Sequence, residues 1–224
     1  LEIHGMVGLW ILGAMLLLWV LSLVLKNSSI VDIFWGFGFV VSVWLAFLLA
    51  GPPHSPRSWL MAVLVSIWGI RLTLHVFIRN AGKGEDFRYA RWRREQGDQW
   101  WWHSLFQVNL LQGLILWVVA VPLTAAQLPM FSGSLNFFDY AGAGLWAIGF
   151  FFESVGDLQL SRFRSDPDNK GKVLQRGVWR LTRHPNYFGD TAQWWGFFLI
   201  AAAGGAWWTV ISPILMTYLL VRVS

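Results

Sequence analysis

The chain has 224 residues, 56% of them hydrophobic and only 13% charged. A soluble domain carries about 25% charged residues, so an ordinary water-soluble fold is excluded and lipid is the expected solvent. The formal net charge is +5, Trp is abundant at 17 residues, and Cys is absent, which removes disulfides, Cys-ligated metals and thiol nucleophiles.

A membrane helix needs about 20 mostly apolar residues. Such stretches are predicted near 6–25, 30–50, 58–79, 105–125, 137–158, 187–204 and 206–222. The first is a full-length span without a small-residue cleavage site, so it is expected to be retained rather than removed as a signal peptide. Gly204 and Gly205 alone separate the last two, which predicts a tight helical hairpin; if that pair is one bent element the count is six. The expected fold is all-α: a polytopic integral membrane helical bundle of about seven transmembrane helices, forming a single membrane domain over 1–224. The Trp content fits rings placed at the bilayer interface.

Lys and Arg gather in alternate loops. Arg79, Lys83, Arg88, Arg91, Arg93 and Arg94 lie between the third and fourth spans. Arg162, Arg164, Lys170, Lys172, Arg176, Arg180 and Arg183 lie between the fifth and sixth, and Lys26 lies after the first. The loop 51–57 has only Arg57, and the loop 126–136 has none. Positive loops stay inside, so the basic face is expected to be cytoplasmic, with the N-terminus outside and the C-terminus inside. Basic charge placed between apolar spans serves topology and anion binding, so no nucleic-acid partner is expected; membrane lipid is.

Charges near spans are costly and mark candidate sites. Asp32 opens the second span, and two readings stay open: an acid favoured by the helix N-terminus, or a functional acid. Arg71 and His75 lie four apart on the third span and share one face. Arg71 is near mid-span, which favours a buried role. Glu153 and Asp157 repeat that spacing at the end of the fifth span, with Arg164 beyond, and predict a polar pocket at the cytoplasmic mouth. In Glu85-Asp86-Phe87-Arg88-Tyr89, acids, aromatics and Arg are interleaved. Arg grips phosphate as a fork, and lipid binding alone would not need the two acids.

The most specific string is Arg183-His184-Pro185-Asn186-Tyr187-Phe188-Gly189-Asp190. It sets a helix-starting Pro among five hydrogen-bonding side chains where the chain re-enters lipid. There is no strand-associated G-x-G-x-x-G, no P-loop, no G-x-S-x-G and no metal-ligand spacing, so neither a Rossmann site nor a metal is expected.

That string resembles the C-terminal signature of membrane steroid 5α-reductases and sterol Δ14 and Δ24(28) reductases. The chain as a whole is most similar to a bacterial family of steroid 5α-reductase-like membrane proteins, with the isoprenylcysteine carboxyl methyltransferases more distant. The resemblance implies an NADPH-dependent reductase of an activated C=C, such as a 3-oxo-Δ4-steroid-like enone, acting on a lipophilic small molecule in a bacterial inner membrane. The alternative is a methyltransferase using S-adenosylmethionine. The family's cofactor Asp and Arg fall on Asp157 and Arg164, and its signature Asn and acid on Asn186 and Asp190. Lys172, Arg183, His184, Tyr187 and Arg88 are expected to join that site. A cofactor Asn of the family falls on Glu153, a departure. The catalytic pair there is a Glu on the second span and a Tyr on the third. Asp32 matches the Glu; the third span has no Tyr, so Trp68, Arg71 or His75 is expected in its place. The resemblance also implies a basic, aromatic tail beyond Arg222-Val223-Ser224 that helps close the cofactor site.

Overall fold

The computed structural model describes residues 2–131 and 133–223; Ser224, named above, lies outside them. Every regular element among the described residues is helical. The α-helices are α1 (Glu2–Val24), α2 (Ile30–Ala50), α3 (Pro56–Asn80), α4 (Phe87–Gln96), α5 (Trp100–Ser104), α6 (Leu111–Val119), α7 (Val121–Ala125), α8 (Phe137–Ser165), α9 (Pro185–Ala203) and α10 (Ile211–Tyr218). A π-helical turn, Leu105–Leu110, joins α5 to α6.

Four helical stretches among the described residues are long and apolar enough to cross a membrane: α1, α2, α3 and Phe87–Val119. The other three expected spans are helical but do not combine length with apolarity. α8 carries Asp139, Glu153, Asp157, Arg162 and Arg164, α9 opens on polar residues, and Trp207–Arg222 is short.

The expected loop 79–104 is corrected by the structure, since most of it is helical. Asp86 caps α4, its carboxylate accepting from the Arg88 backbone N–H at 3.0 Å. No Gly or Pro then interrupts the chain before Gly97, whose φ of 53° stops α4. The fifth predicted span likewise runs on past 158 to Ser165. A capping box between Asn136 and Asp139 starts α8, and Arg162 and Arg164 favour its C-terminal end.

The chain divides into two compact units, Leu1–Gly133 and Ser134–Ser224. In the first unit α2 and α3 touch backbone to backbone. A Cβ on Gly69 would stand 2.6 Å from the Gly36 carbonyl oxygen, and one on Gly36 would strike the Gly69 carbonyl. Phe39, Met61, Val65 and Trp68, all fully buried, fill the core around this contact.

The second unit is built on α8 and α9. Gly142 and Gly149 on α8 recur seven apart, as do Gly189 and Gly196 on α9, so each pair presents one face. A Cβ on either Gly142 or Gly196 would lie 2.7 Å from the other's carbonyl oxygen, and Gly149 and Gly189 meet in the same way. The pairing order makes the helices antiparallel. Small residues at such a seam let helices approach in lipid, where packing rather than the hydrophobic effect holds them.

Candidate functional site

Each unit carries one polar site. In the first, the string Glu85–Tyr89 folds onto the start of α2. The Ser28 backbone N–H donates to Glu85 Oε1 at 2.7 Å, and the Asp86 backbone N–H donates to Ser29 Oγ at 2.6 Å. Arg93 closes the arrangement with two bonds to Glu85, 2.9 Å from Nε and 2.8 Å from Nη2. Burial alone would raise the Glu85 pKa, but the bonds from Arg93 and Ser28 outweigh it and hold the carboxyl below its ordinary value. The same contest, with Arg88 as the donor, lowers Asp86.

This clamp sets Arg88 and Tyr89 over Asp32. Tyr89 Oη donates to Asp32 Oδ1 at 2.7 Å, and Arg88 Nη2 lies 3.1 Å from Asp32 Oδ2. Gln112, on α6, donates to Tyr89 Oη at 3.1 Å. Tyr89 is only 3% exposed. The Asp32 side chain keeps 18% exposure, so the pair has one face open.

In the second unit the glycine seam brings polar side chains of α8 and α9 together. Gln193, fully buried, donates to Glu153 Oε2 at 2.6 Å, and Asn186 Nδ2 donates to Asp157 Oδ1 at 3.3 Å. The Asn186 Oδ1 is buried with no hydrogen-bond partner among the described residues. An unmade bond at a buried acceptor costs about 1–3 kcal/mol, so a ligand donor there would be favoured.

Beyond the end of α8, the segment Leu160–His184 surrounds a cavity of about 980 Å³. This stands at the upper end of the range for small-molecule sites. The short helical turn Gly177–Arg180 forms one wall. It is pinned to α8 by the Val178 N–H on Gln159 Oε1 at 3.1 Å and the Trp179 indole N–H on the Gly156 carbonyl at 3.1 Å. Arg164, Lys170, Lys172, Arg180, Arg183 and His184 line the cavity. Its acid, Asp166, is occupied by its own turn, accepting from the Asp168 N–H at 3.0 Å and the Asn169 amide at 3.2 Å. None of the five Lys and Arg side chains forms an ion pair among the described residues.

A family model of proteins of unknown function, DUF1295, matches residues 18–224. The chain belongs to that family. An uncharacterized protein of Schizosaccharomyces pombe is 28% identical over 220 residues, covering 86% of this chain. This chain spans 62% of that relative's length. No solved structure matches.

In this DUF1295 protein, Arg164, Lys172, Arg183 and His184 share the basic cavity. Asp157, Asn186 and Asp190 lie on the adjoining α8 and α9, and the Tyr187 ring stacks on His184 at 5.1 Å. Arg88 is placed in the first unit instead, engaged by Asp32 and by Asp86 at 2.9 Å. Trp68 lies wholly enclosed beside Phe39, with ring centroids 5.7 Å apart. Arg71 and His75 are both half-buried on α3. Sequence reasoning missed Tyr89 as the phenol beside Asp32, because it searched the third span. It also passed over Lys170 and Arg180 as cavity residues, and Gln193 as the partner of Glu153. The signal for Tyr89 was already in Glu85-Asp86-Phe87-Arg88-Tyr89, whose acids hold the loop against α2.

Proposed function

We propose that this DUF1295 protein is a membrane-embedded, NADPH-dependent reductase of an activated C=C in a lipophilic, enone-like substrate, related to the steroid 5α-reductases. The observation that carries this reading is the charge of the cavity, whose five Lys and Arg side chains form no ion pair among the described residues and whose single carboxylate is locally satisfied. A pyrophosphate with a 2′-phosphate is a polyanion, and Arg and Lys in a partly enclosed site are its natural ligands. S-adenosylmethionine carries a sulfonium and an ammonium cation, a single carboxylate and no phosphate, so one basic side chain would satisfy it and five would not be needed.

The residues present fit the cofactor. Arg164, Lys170, Lys172, Arg180 and Arg183 would hold its phosphates, and the orphaned Asn186 Oδ1 offers an acceptor for an amide or ribose hydroxyl. Asp157 fixes the Asn186 amide so that this oxygen stays presented. When bound, NADPH supplies hydride to the β-carbon of the enone. The protein must also polarise the ketone oxygen and hold a proton as enolate charge develops. Within the first unit taken by itself, the Tyr89 phenol donates its proton to Asp32 at 2.7 Å and accepts from Gln112, and this pair has the chemistry that such a task needs.

The test is ligand-induced stabilisation of the purified protein. NADPH should raise the melting temperature, and S-adenosylmethionine should not. Arg164→Ala and Asn186→Ala should each weaken NADPH binding roughly ten- to a hundredfold, the loss of one charged hydrogen bond at about 1.5–3 kcal/mol. Unchanged NADPH affinity in both variants would remove the site from this cavity. Stabilisation by S-adenosylmethionine, lost in the same variants, would make the protein a methyltransferase.

A further inference from the structure

Helix α4 is not needed to cross the membrane. At 1.5 Å per residue, Trp100–Val119 alone is about 30 Å long, the thickness of the hydrocarbon core. Gly97, at φ 53° and ψ −129°, then breaks the chain direction between α4 and that span. The residues just past the break are Trp100, Trp101 and Trp102. Trp101 is 56% exposed, and its carbonyl accepts the Trp19 indole N–H from the end of α1 at 2.7 Å. Half-buried Trp19 and exposed Trp101, hydrogen-bonded to each other from two neighbouring spans, mark one level as the bilayer interface, which leaves α4 at headgroup depth.

Its charges divide into two sets. Arg88 and Arg93 are committed inward, to Asp32, Asp86 and Glu85. Arg91 and Arg94 lie three apart on one exposed face. Arg91 has only a long pair with Glu95, 3.5 Å, with both side chains about 60% exposed. Phe87, at the start of the helix, is 75% exposed. An exposed aromatic and two outward arginines on a helix at headgroup depth suit a partner with an acyl region and a phosphodiester anion.

We infer that α4 is a binding site for an anionic phospholipid headgroup, held by Arg91 and Arg94 and separate from the phosphate-binding cavity of the second unit. The acids of the string do not oppose it, because Glu85 and Asp86 are turned into the clamp on α2.

The experiment titrates the detergent-solubilised full chain with phosphatidylglycerol and with phosphatidylcholine, following bound lipid by native mass spectrometry. Phosphatidylglycerol should bind more tightly. Arg91→Ala/Arg94→Ala should weaken it about thirtyfold, the contribution expected of two basic residues near a charged lipid surface, and leave phosphatidylcholine binding as it was. Glu95→Gln, which frees Arg91, should tighten phosphatidylglycerol binding and provides a check that does not depend on a loss. Arg164→Ala should leave lipid binding untouched. Equal affinity for the two lipids, or no effect of the double variant with the melting temperature preserved, would overturn the site. So would displacement of the lipid by inorganic phosphate or by NADPH, or an equal loss in Arg164→Ala.

Discussion

Asp32 begins a helix that enters lipid, where an unpaired charge costs several kcal/mol. Two side chains from outside its own helix, Tyr89 and Arg88, meet it there. Tyr89→Phe keeps the ring and removes one hydrogen bond, so stability should fall by only about 1 kcal/mol. If the pair handles the substrate proton, turnover of an enone should drop on the order of 10²–10⁴-fold, with the NADPH-induced melting shift retained. Asp32→Asn should behave alike. Wild-type turnover in both would leave the pair as a clamp that seats α4. Glu85 gives a separate test by pH. Its folded pKa lies below the ordinary 4.5, so the clamp contributes fully above that value and is lost as pH falls through the folded pKa. The melting temperature should fall in that acid window, and Glu85→Gln should flatten the acid limb while lowering stability at neutral pH.

At the scale of elements, the contact of α8 with α9 decides whether the side chains proposed to hold the cofactor can meet at all. Gly189 lies against the Glu153 N–H and the Gly149 carbonyl, both backbone groups that cannot swing aside. Gly189→Ala should therefore separate the helices, at about 1–3 kcal/mol for overpacking. It should also weaken NADPH binding by moving Asn186 away from Asp157. Gly144, on the same helix, has nothing within 4 Å of an added Cβ. Gly144→Ala should be neutral or slightly stabilising, since Ala is the better helix former by about 1 kcal/mol. Thermal unfolding in detergent compares the two directly. A Gly189→Ala protein as stable as Gly144→Ala would mean that the seam is looser than its geometry.

For the whole molecule, the first unit has two chemically distinct ends. At one, the Arg57 guanidinium donates to the Phe131 carbonyl at 2.8 Å and Ser58 Oγ donates to the Ala126 carbonyl at 3.1 Å, tying together the two segments with almost no charge. At the other, Ser28 and Ser29 meet Glu85 and Asp86, beside Lys26 and the arginines of α4. Single cysteines at the exposed positions Met130 and Gly84 should thus react with a membrane-impermeant reagent from opposite sides of the bilayer, Gly84 from the cytoplasm. Labelling of both from one side would defeat the charge-based orientation.

Composition and apolar run length were enough to place α1, α2 and α3, because an apolar stretch of spanning length has few alternatives to a lipid-facing helix. Local pattern also located the basic cavity residues Arg164, Lys172 and Arg183, since they are close in sequence and one turn-rich segment gathers them. It misjudged 79–104 as loop, because a helix rich in Arg with an Asp cap has no apolar run to announce it. What only the tertiary structure decided is the partner of Asp32. Tyr89 lies far along the chain and outside the third span, and is delivered by Glu85 and Asp86, whose hydrogen bonds to Ser28 and Ser29 are long-range contacts. The Glu153–Gln193 pair is of the same kind. Helical periodicity shows which residues share a face. Which faces meet depends on backbone close approach at the glycines, and that is a property of the packed helices.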